Sequence, residues 1–217
     1  MSTLTLYYTP PSPVARAVLF LIRYLDIDVD VKVLNLFQGE QHSEEFLKLN
    51  PAHEVPTLVD GDFVLTESRA ILAYLINSRN SGSDLYPSDP KARARVDQRL
   101  SYDHVMFSRN TFAIRPVIFD GATAVRPADL EAVMESLRVI NTFLENSKWI
   151  AGDNLTIADF SFVTSITSLV ECGYDLSKQP NINRWYEQCK SLKGFDENLQ
   201  GAKIIANVVK SKVENIF

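Results

Sequence analysis

Cysteine is scarce in this chain, which has two in 217 residues, Cys172 and Cys189. Two thiols are too few for a disulfide framework, and their spacing fits neither a redox CxxC pair nor a zinc site. The amino-terminal half contains no cysteine at all. A nucleophilic sulfur acting there therefore has to come with a substrate.

Positive charge and long apolar runs are also lacking. The 22 lysines and arginines are outnumbered by 27 aspartates and glutamates, so no basic excess is available for a phosphate backbone. The longest apolar runs, such as residues 17–22, are far shorter than the roughly 20 residues of a membrane helix. The first residues lack the charged start and apolar core of a signal peptide. We therefore expect a globular cytoplasmic protein that binds neither nucleic acid nor membrane.

Strand and helix patterns alternate over the first 80 residues. An apolar strand at residues 4–8 precedes an amphipathic helix that Ser12 and Pro13 open. Valines at positions 29, 31 and 33 alternate with charged residues, which predicts a strand with its valines turned inward. A short helix over residues 44–49, a hairpin around Gly61 and a helix after Glu67 follow. The order β-α-β-α-β-β-α predicts an α/β domain over residues 1–80.

The pattern changes after residue 80. Residues 78–90 are rich in Ser, Asp, Gly and Pro, and strand alternation stops there. Helical periodicity then runs over roughly 91–119, 128–145, 157–169 and 182–192, with a weaker tail after 196. We expect a linker at 81–90 and an all-α helical bundle over 91–217. A capping box from Thr156 to Asp159 is assigned to folding.

Main-chain groups suited to binding a peptide are concentrated in residues 50–71. Val55-Pro56 is a candidate cis peptide, which would direct the main-chain N–H and C=O of Val55 at a ligand. Glu67 and Ser68 open a helix whose free N–H groups attract a carboxylate. These two side chains either hold the ends of a ligand or are ordinary polar residues at a helix start.

Ser12 and the histidines have competing interpretations. Ser12 either only caps its helix or also directs its hydroxyl at a ligand, where it could help to turn a bound thiol into a thiolate. His53 either donates to a ligand carboxylate or caps the turn before it. The pattern favours a solvated His42 in a polar loop and a structural His104 in the long helix.

Five short motifs occur in the same order and at the same spacing as in a known protein family. They are LYY at 6–8 with Ser12, Pro13 and Arg16, NPAHEVPTL at 50–58, TESRAI at 66–71, LYP at 85–87 and TIAD at 156–159. With them the chain resembles cytosolic glutathione S-transferases, most closely the insect delta and epsilon classes. The resemblance implies a thioredoxin-like glutathione-binding domain, a helical domain that forms a hydrophobic substrate site, no metal, and a homodimer.

The resemblance also implies site residues. Ser12 corresponds to the catalytic serine that activates the glutathione sulfur. The implied glutathione-binding residues are Gln41, His42, His53, Val55, Pro56, Glu67, Ser68 and Arg69. Gln41 stands where many relatives have histidine, and His42 follows one residue later, so either could contact the glycyl carboxylate.

The hydrophobic substrate site is expected at the helical wall of the cleft. The residues assigned to it are Pro11, Phe37, Phe107, Thr111, Ile114 and Phe119. We expect most of the apolar bulk of the helical half, which includes Phe112 and Trp185, to be core.

Three functions follow from the resemblance. The first is conjugation of glutathione to hydrophobic electrophiles, as in detoxification. The second is peroxide reduction or isomerisation of a lipid or steroid, since residues 25–29 and 35–41 resemble a specialised epsilon-class branch linked to ecdysteroid production. The third is a ligand carrier that binds glutathione without turnover.

Overall fold

The computed structural model describes residues 4–213 and 216–217. The first part contains four strands and three α-helices, which are β1 (Leu4–Tyr8), α1 (Pro13–Tyr24), β2 (Val29–Val33), α2 (Glu44–Leu49), β3 (Thr57–Asp60), β4 (Phe63–Leu65) and α3 (Ser68–Arg79). Two 3₁₀ turns, Leu36–Gln38 and Glu40–His42, lie between β2 and α2. The second part is helical, with α4 (Pro90–Phe119), α5 (Pro127–Phe143), α6 (Ile157–Glu171), a 3₁₀ turn Leu176–Lys178, α7 (Pro180–Cys189) and α8 (Phe195–Lys210).

The four strands form one mixed sheet in the order β2-β1-β3-β4. Strand β1 runs parallel to β2, with Leu4 opposite Val29, and antiparallel to β3, with Tyr7 opposite Thr57. The β3–β4 hairpin turns at Gly61, as the sequence predicts. This sheet with its helices is the predicted thioredoxin-like arrangement, and the remaining helices form the predicted bundle.

Some details differ from the predictions. Val29 and Val31 pack against the core, but Val33 is 61% exposed, because it is the last residue of an edge strand. Helix α4 begins at Pro90, where the Asp89 carboxylate accepts the N–H groups of Lys91 and Ala92. The weaker helical tail expected after residue 196 is the sixteen-residue helix α8, which begins at Phe195. The proposed boundaries at 80 and 90 remain a prediction.

Helix α6 lies at the centre of the helical part and packs on α1, α4 and α8. The predicted capping box is present at its start, where Asp159 Oδ2 accepts the Thr156 N–H at 2.8 Å. Asp159 Oδ1 accepts the Ile150 N–H and the Trp185 indole N–H, both at 2.8 Å. Burial raises the pKa of Asp159 to about 6. Trp185 is core as expected, whereas Phe112 is 66% exposed.

No helix within residues 4–213 is both long and apolar enough to cross a membrane.

Candidate active site

Two adjoining cavities lie between the first part of the chain and the helical bundle. We call the first, of about 350 Å³, the polar cavity; its lining residues are Ser12, Val14, Leu36, Gln41, His53, Glu54, Val55, Pro56, Glu67, Ser68, Arg69, His104 and Phe107. We call the second, of about 290 Å³, the apolar cavity. Ser12, Leu36 and Phe107 line both of them. Ser12 therefore lies where the two cavities meet.

Ser12 is the N-cap of α1. Its Oγ accepts the Ala15 N–H at 3.3 Å, as the capping interpretation predicts. Capping uses a lone pair of the oxygen, and the hydroxyl hydrogen has no acceptor among the described residues. The two interpretations of Ser12 are therefore compatible, because a capping serine can still donate its hydroxyl to a ligand.

The Val55-Pro56 bond is cis, as the sequence suggests. Val55 lies just before β3, beyond the Tyr7–Thr57 pair that ends the ladder with β1. The buried Asn50 side chain holds this segment, because its amide donates to Glu54 O at 2.9 Å and to Thr57 Oγ1 at 3.0 Å. The position of Asn50 in the motif is visible in the sequence, but its anchoring role becomes visible only in the structure.

Glu67 and Ser68 meet the polar cavity at the start of α3. Glu67 has φ 64° and ψ 104°, a conformation that costs a non-glycine residue on the order of 1–3 kcal/mol. Ser68 is the first helical residue, so its N–H lacks an i−4 carbonyl within the helix. The helix start thus presents a carboxylate, a hydroxyl and an unsatisfied N–H to one cavity.

Arg69 lines the polar cavity but is already paired. Its guanidinium lies 2.5 Å from the carboxylate of Asp103 on α4, and Ser161 donates its hydroxyl to the same oxygen at 2.6 Å. Asp103 is 1% exposed. No local motif marks Asp103, although its spacing from the buried Val96, Leu100 and Met106 places it on the buried face of α4.

The three histidines of the chain all lie at or beside the polar cavity. His53 lines it, and the His42 ring packs against the His53 ring at 4.6 Å without lining the cavity itself. Gln41 lines it too, with its carbonyl oxygen buried and unpaired among the described residues. His104, predicted to be structural, lines it from α4 with an exposed side chain. Its structural role stays a prediction, because helical periodicity does not show which surface face meets a cleft.

The apolar cavity brings together all six residues assigned to the hydrophobic site, namely Pro11, Phe37, Phe107, Thr111, Ile114 and Phe119. The rings of Phe37 and Phe119 meet across it, with their centroids 5.8 Å apart. Further lining residues come from later in the chain and include Ser165, Ser168, Leu169, Cys172, Ile205 and Ile216. Sequence reasoning misses them because it does not show that α6 and α8 pack behind α4.

The two cysteines are poor nucleophiles. Burial raises the pKa of Cys172, which lines the apolar cavity, to about 11. Burial also raises the pKa of Cys189 well above its ordinary value. Both thiols are therefore protonated at neutral pH, and a thiolate in these cavities has to come with a ligand.

Arg16 fixes the first turns of α1 against the helical part. It is almost fully buried and donates to Asn198 and to the Ser168 hydroxyl. Burial lowers its pKa to about 10, which leaves it charged at neutral pH. Gly201 makes room for it, since a Cβ there would lie 2.5 Å from Arg16 Cδ. This contact holds the helix that presents Ser12.

Among the described residues, no group of three or more histidine, cysteine, aspartate or glutamate side chains lies close enough to hold a metal ion.

Comparison with known proteins identifies the family. The model for the glutathione S-transferase N-terminal domain matches residues 2–77, and the model for the C-terminal domain matches residues 97–193. Glutathione S-transferase 1 of Manduca sexta is 40% identical over 97% of this chain and 99% of its own length.

Solved structures of insect proteins are similar over nearly the whole chain. An epsilon-class glutathione S-transferase of Musca domestica is 40% identical with a TM-score of 0.93, covering 99% of this chain and 100% of its own. A Drosophila mojavensis glutathione transferase homologue with bound glutathione is 37% identical with a TM-score of 0.92, covering 98% and 99%. The chain therefore belongs to the glutathione S-transferase family, as an enzyme whose relatives are the insect delta and epsilon classes.

Proposed function

We propose that this enzyme conjugates the thiolate of reduced glutathione to hydrophobic electrophiles, with Ser12 as the residue that stabilises the thiolate. The observation that carries the proposal is the position of Ser12 on both cavities. A tripeptide in the polar cavity can place its sulfur beside this hydroxyl. An electrophile in the apolar cavity then lies on the other side of the same sulfur.

Only a modest free energy is needed to turn the bound thiol into a thiolate. A free thiol has a pKa of about 8.5, and each unit by which the pKa falls requires about 1.4 kcal/mol. A hydrogen bond to a charged acceptor contributes about 1.5–3 kcal/mol, and the start of α1 adds a positive dipole end. Together they lower the thiol pKa by about one to two units, which raises the thiolate fraction at pH 7 from about 3% to roughly 25–75%.

The polar cavity offers partners for each part of the tripeptide. In our proposal the main chain of Val55, which precedes the cis Pro56, pairs with the cysteinyl unit. Glu67 holds the γ-glutamyl ammonium group, and Ser68 donates to the carboxylate at the same end. Gln41, with His53 and the adjacent His42, serves the glycyl carboxylate.

The test is substitution of Ser12 by alanine, with an activated aryl halide as electrophile. We expect kcat/KM to fall by about tenfold or more at neutral pH, in line with one or two units of lost thiolate stabilisation. Ser43→Ala is the matched control, because Ser43 caps α2 through an equal 3.3 Å bond from the Phe46 N–H but lines neither cavity. Equal activity of Ser12→Ala and Ser43→Ala would contradict the proposed role.

A second candidate uses the same thiolate on a lipid or steroid, by peroxide reduction or isomerisation. The almost wholly hydrocarbon wall of the apolar cavity favours such ligands. A panel of sterols should then inhibit conjugation or raise the melting temperature, and a panel without either effect argues against this candidate. Retention on glutathione-agarose without activity towards any electrophile would instead support a ligand carrier.

The proposal includes the homodimer and the cytoplasmic location that the family resemblance implies. Light scattering during gel filtration should give a mass near twice the 24.5 kDa of the chain.

A further inference from the structure

We propose that His104 is a further glutathione-binding residue, which holds the carboxylate at the γ-glutamyl end of the tripeptide. This inference rests on the proposed function. It concerns a residue that sequence reasoning assigns to a structural role and that the structure places on the wall of the polar cavity.

The position of His104 follows from the Arg69–Asp103 ion pair. That pair, at 2.5 Å, ties the first turn of α3 to the middle of α4. His104 is the next residue after Asp103 on α4, and Glu67 and Ser68 directly precede Arg69. Glu67, Ser68, Arg69 and His104 line the polar cavity, whereas Asp103 does not. His104 therefore lies at the end of the cavity where α3 begins.

Charge at this end leaves a ligand carboxylate without a cation. The γ-glutamyl end of glutathione carries one ammonium group and one carboxylate. Glu67 can pair with the ammonium group, but the charge of Arg69 is already balanced by Asp103. Apart from His104, the carboxylate is left with the neutral donors of Ser68.

His104 can supply the missing donor. Its side chain is exposed and has neither a hydrogen bond nor an ion pair in the described part of the chain. The charged and titratable groups around the cavity are Glu67 and Arg69 on α3, Asp103 on α4, and His53 and Glu54 before β3. None of them is an unpaired cation beside Glu67 and Ser68, so the imidazole N–H of His104 is the additional donor available to the ligand carboxylate there.

The other two histidines belong to a different part of the chain, between β2 and β3. His42 and His53 pack ring against ring at 4.6 Å, next to Gln41. Glutathione has one carboxylate at each end, so the cavity pairs each carboxylate with imidazole from a different part of the chain.

The experiment measures the Kd of two tripeptides by calorimetry. One is glutathione, and the other is γ-aminobutyryl-cysteinyl-glycine, which lacks only the carboxylate in question. His104→Leu should weaken glutathione binding about fivefold, a size typical of one lost hydrogen bond, and leave binding of the analogue unchanged. His104→Gln keeps an N–H donor and should recover part of the loss. Arg95→Gln removes an exposed cation from the same helix away from the cavity and should change neither Kd.

Two results would overturn the assignment. Unchanged glutathione binding in His104→Leu shows that the imidazole does not contribute. An equal loss for glutathione and for the analogue shows that it does not act on this carboxylate. Both results differ from the one that would contradict the proposed function. In that case the unaltered enzyme itself would bind no glutathione. Far-ultraviolet circular dichroism checks that each variant is folded.

Discussion

The guanidinium of Arg69 on α3 and the carboxylate of Asp103 on α4 form a 2.5 Å ion pair that connects the two walls of the polar cavity. The two side chains are 15% and 1% exposed, and the Ser161 hydroxyl adds a third contact from α6. The pair therefore joins the sheet-containing part of the chain to two helices of the bundle. It also fixes the helix start that presents Glu67 and Ser68.

Replacing Asp103 by asparagine should destabilise the protein and weaken glutathione binding. Breaking one partner of a buried ion pair costs about 3–5 kcal/mol, because the other charge is left uncompensated. Urea unfolding measures the stability, and the KM for glutathione should rise at the same time. The double variant Arg69→Leu/Asp103→Leu should recover much of the stability without recovering the KM. A KM that returns with the stability would show that the pair has no part in positioning the site.

Replacing Asp159 should lower the stability of the protein without changing its catalytic constants. Its two oxygens accept hydrogen bonds from Ile150, Thr156 and Trp185 in a fully buried setting. In Asp159→Asn an amide NH₂ group meets buried donors, each of which costs about 1–3 kcal/mol when unpaired. Urea unfolding should show a loss of about 3 kcal/mol or more.

The control for Asp159 is Asp175→Asn, since Asp175 caps an exposed 3₁₀ turn and should lose less than about 1 kcal/mol. The KM values of the folded Asp159 variant should stay unchanged. A variant as stable as the unaltered protein would contradict this account of the start of α6.

The two cysteines should resist labelling in the folded protein. Burial raises the pKa of Cys172 to about 11 and that of Cys189 well above its ordinary value, so the thiolate fraction at pH near 7.5 is smaller than for a free thiol. A disulfide reagent should therefore react slowly with the native enzyme and rapidly after unfolding in urea. Fast, stoichiometric labelling of the native enzyme would mean that the chain has a reactive thiol of its own.

Phe119 should determine affinity for the electrophile and not for glutathione. It lines the apolar cavity and packs on Phe37. Phe119→Ala removes the aromatic contact, and the KM for an apolar aryl halide should rise about three- to tenfold, in line with about 0.5–1.5 kcal/mol for an aromatic contact. Phe112→Ala is the control, because Phe112 is similarly exposed on the same helix but lines neither cavity. Similar KM values for the two variants would remove Phe119 from the site.

Local signals in the sequence predict much of the fold. The Ser12 cap, the Gly61 turn and the Thr156–Asp159 capping box are each decided by neighbouring residues, and the structure contains all three. Helix α8 also has a local signal, because its buried residues recur every three or four positions. What the sequence does not show is that this face packs against α1 and α6.

The site residues also fall into two groups, those that local motifs predict and those that tertiary packing brings to the cleft. Short motifs supply the residues around Val55 and Glu67, where main-chain geometry follows from adjacent residues. His104 and Cys172 reach the cavities, and Asp103 reaches Arg69, through the packing of α4 and α6, which joins positions far apart in the chain. A single sequence shows that these helices are amphipathic or buried, but not which of their residues meet the cleft.

Titration of the sulfur of enzyme-bound glutathione tests the central claim most directly. Thiolate absorbance in the ultraviolet gives the pKa of the bound thiol in the unaltered enzyme and in Ser12→Ala, with Ser43→Ala as control. We expect a pKa about one to two units below the free value of about 8.5 in the unaltered enzyme and in the control, and a value near the free one in Ser12→Ala. The same lowered pKa in Ser12→Ala would contradict the role of Ser12 in stabilising the thiolate.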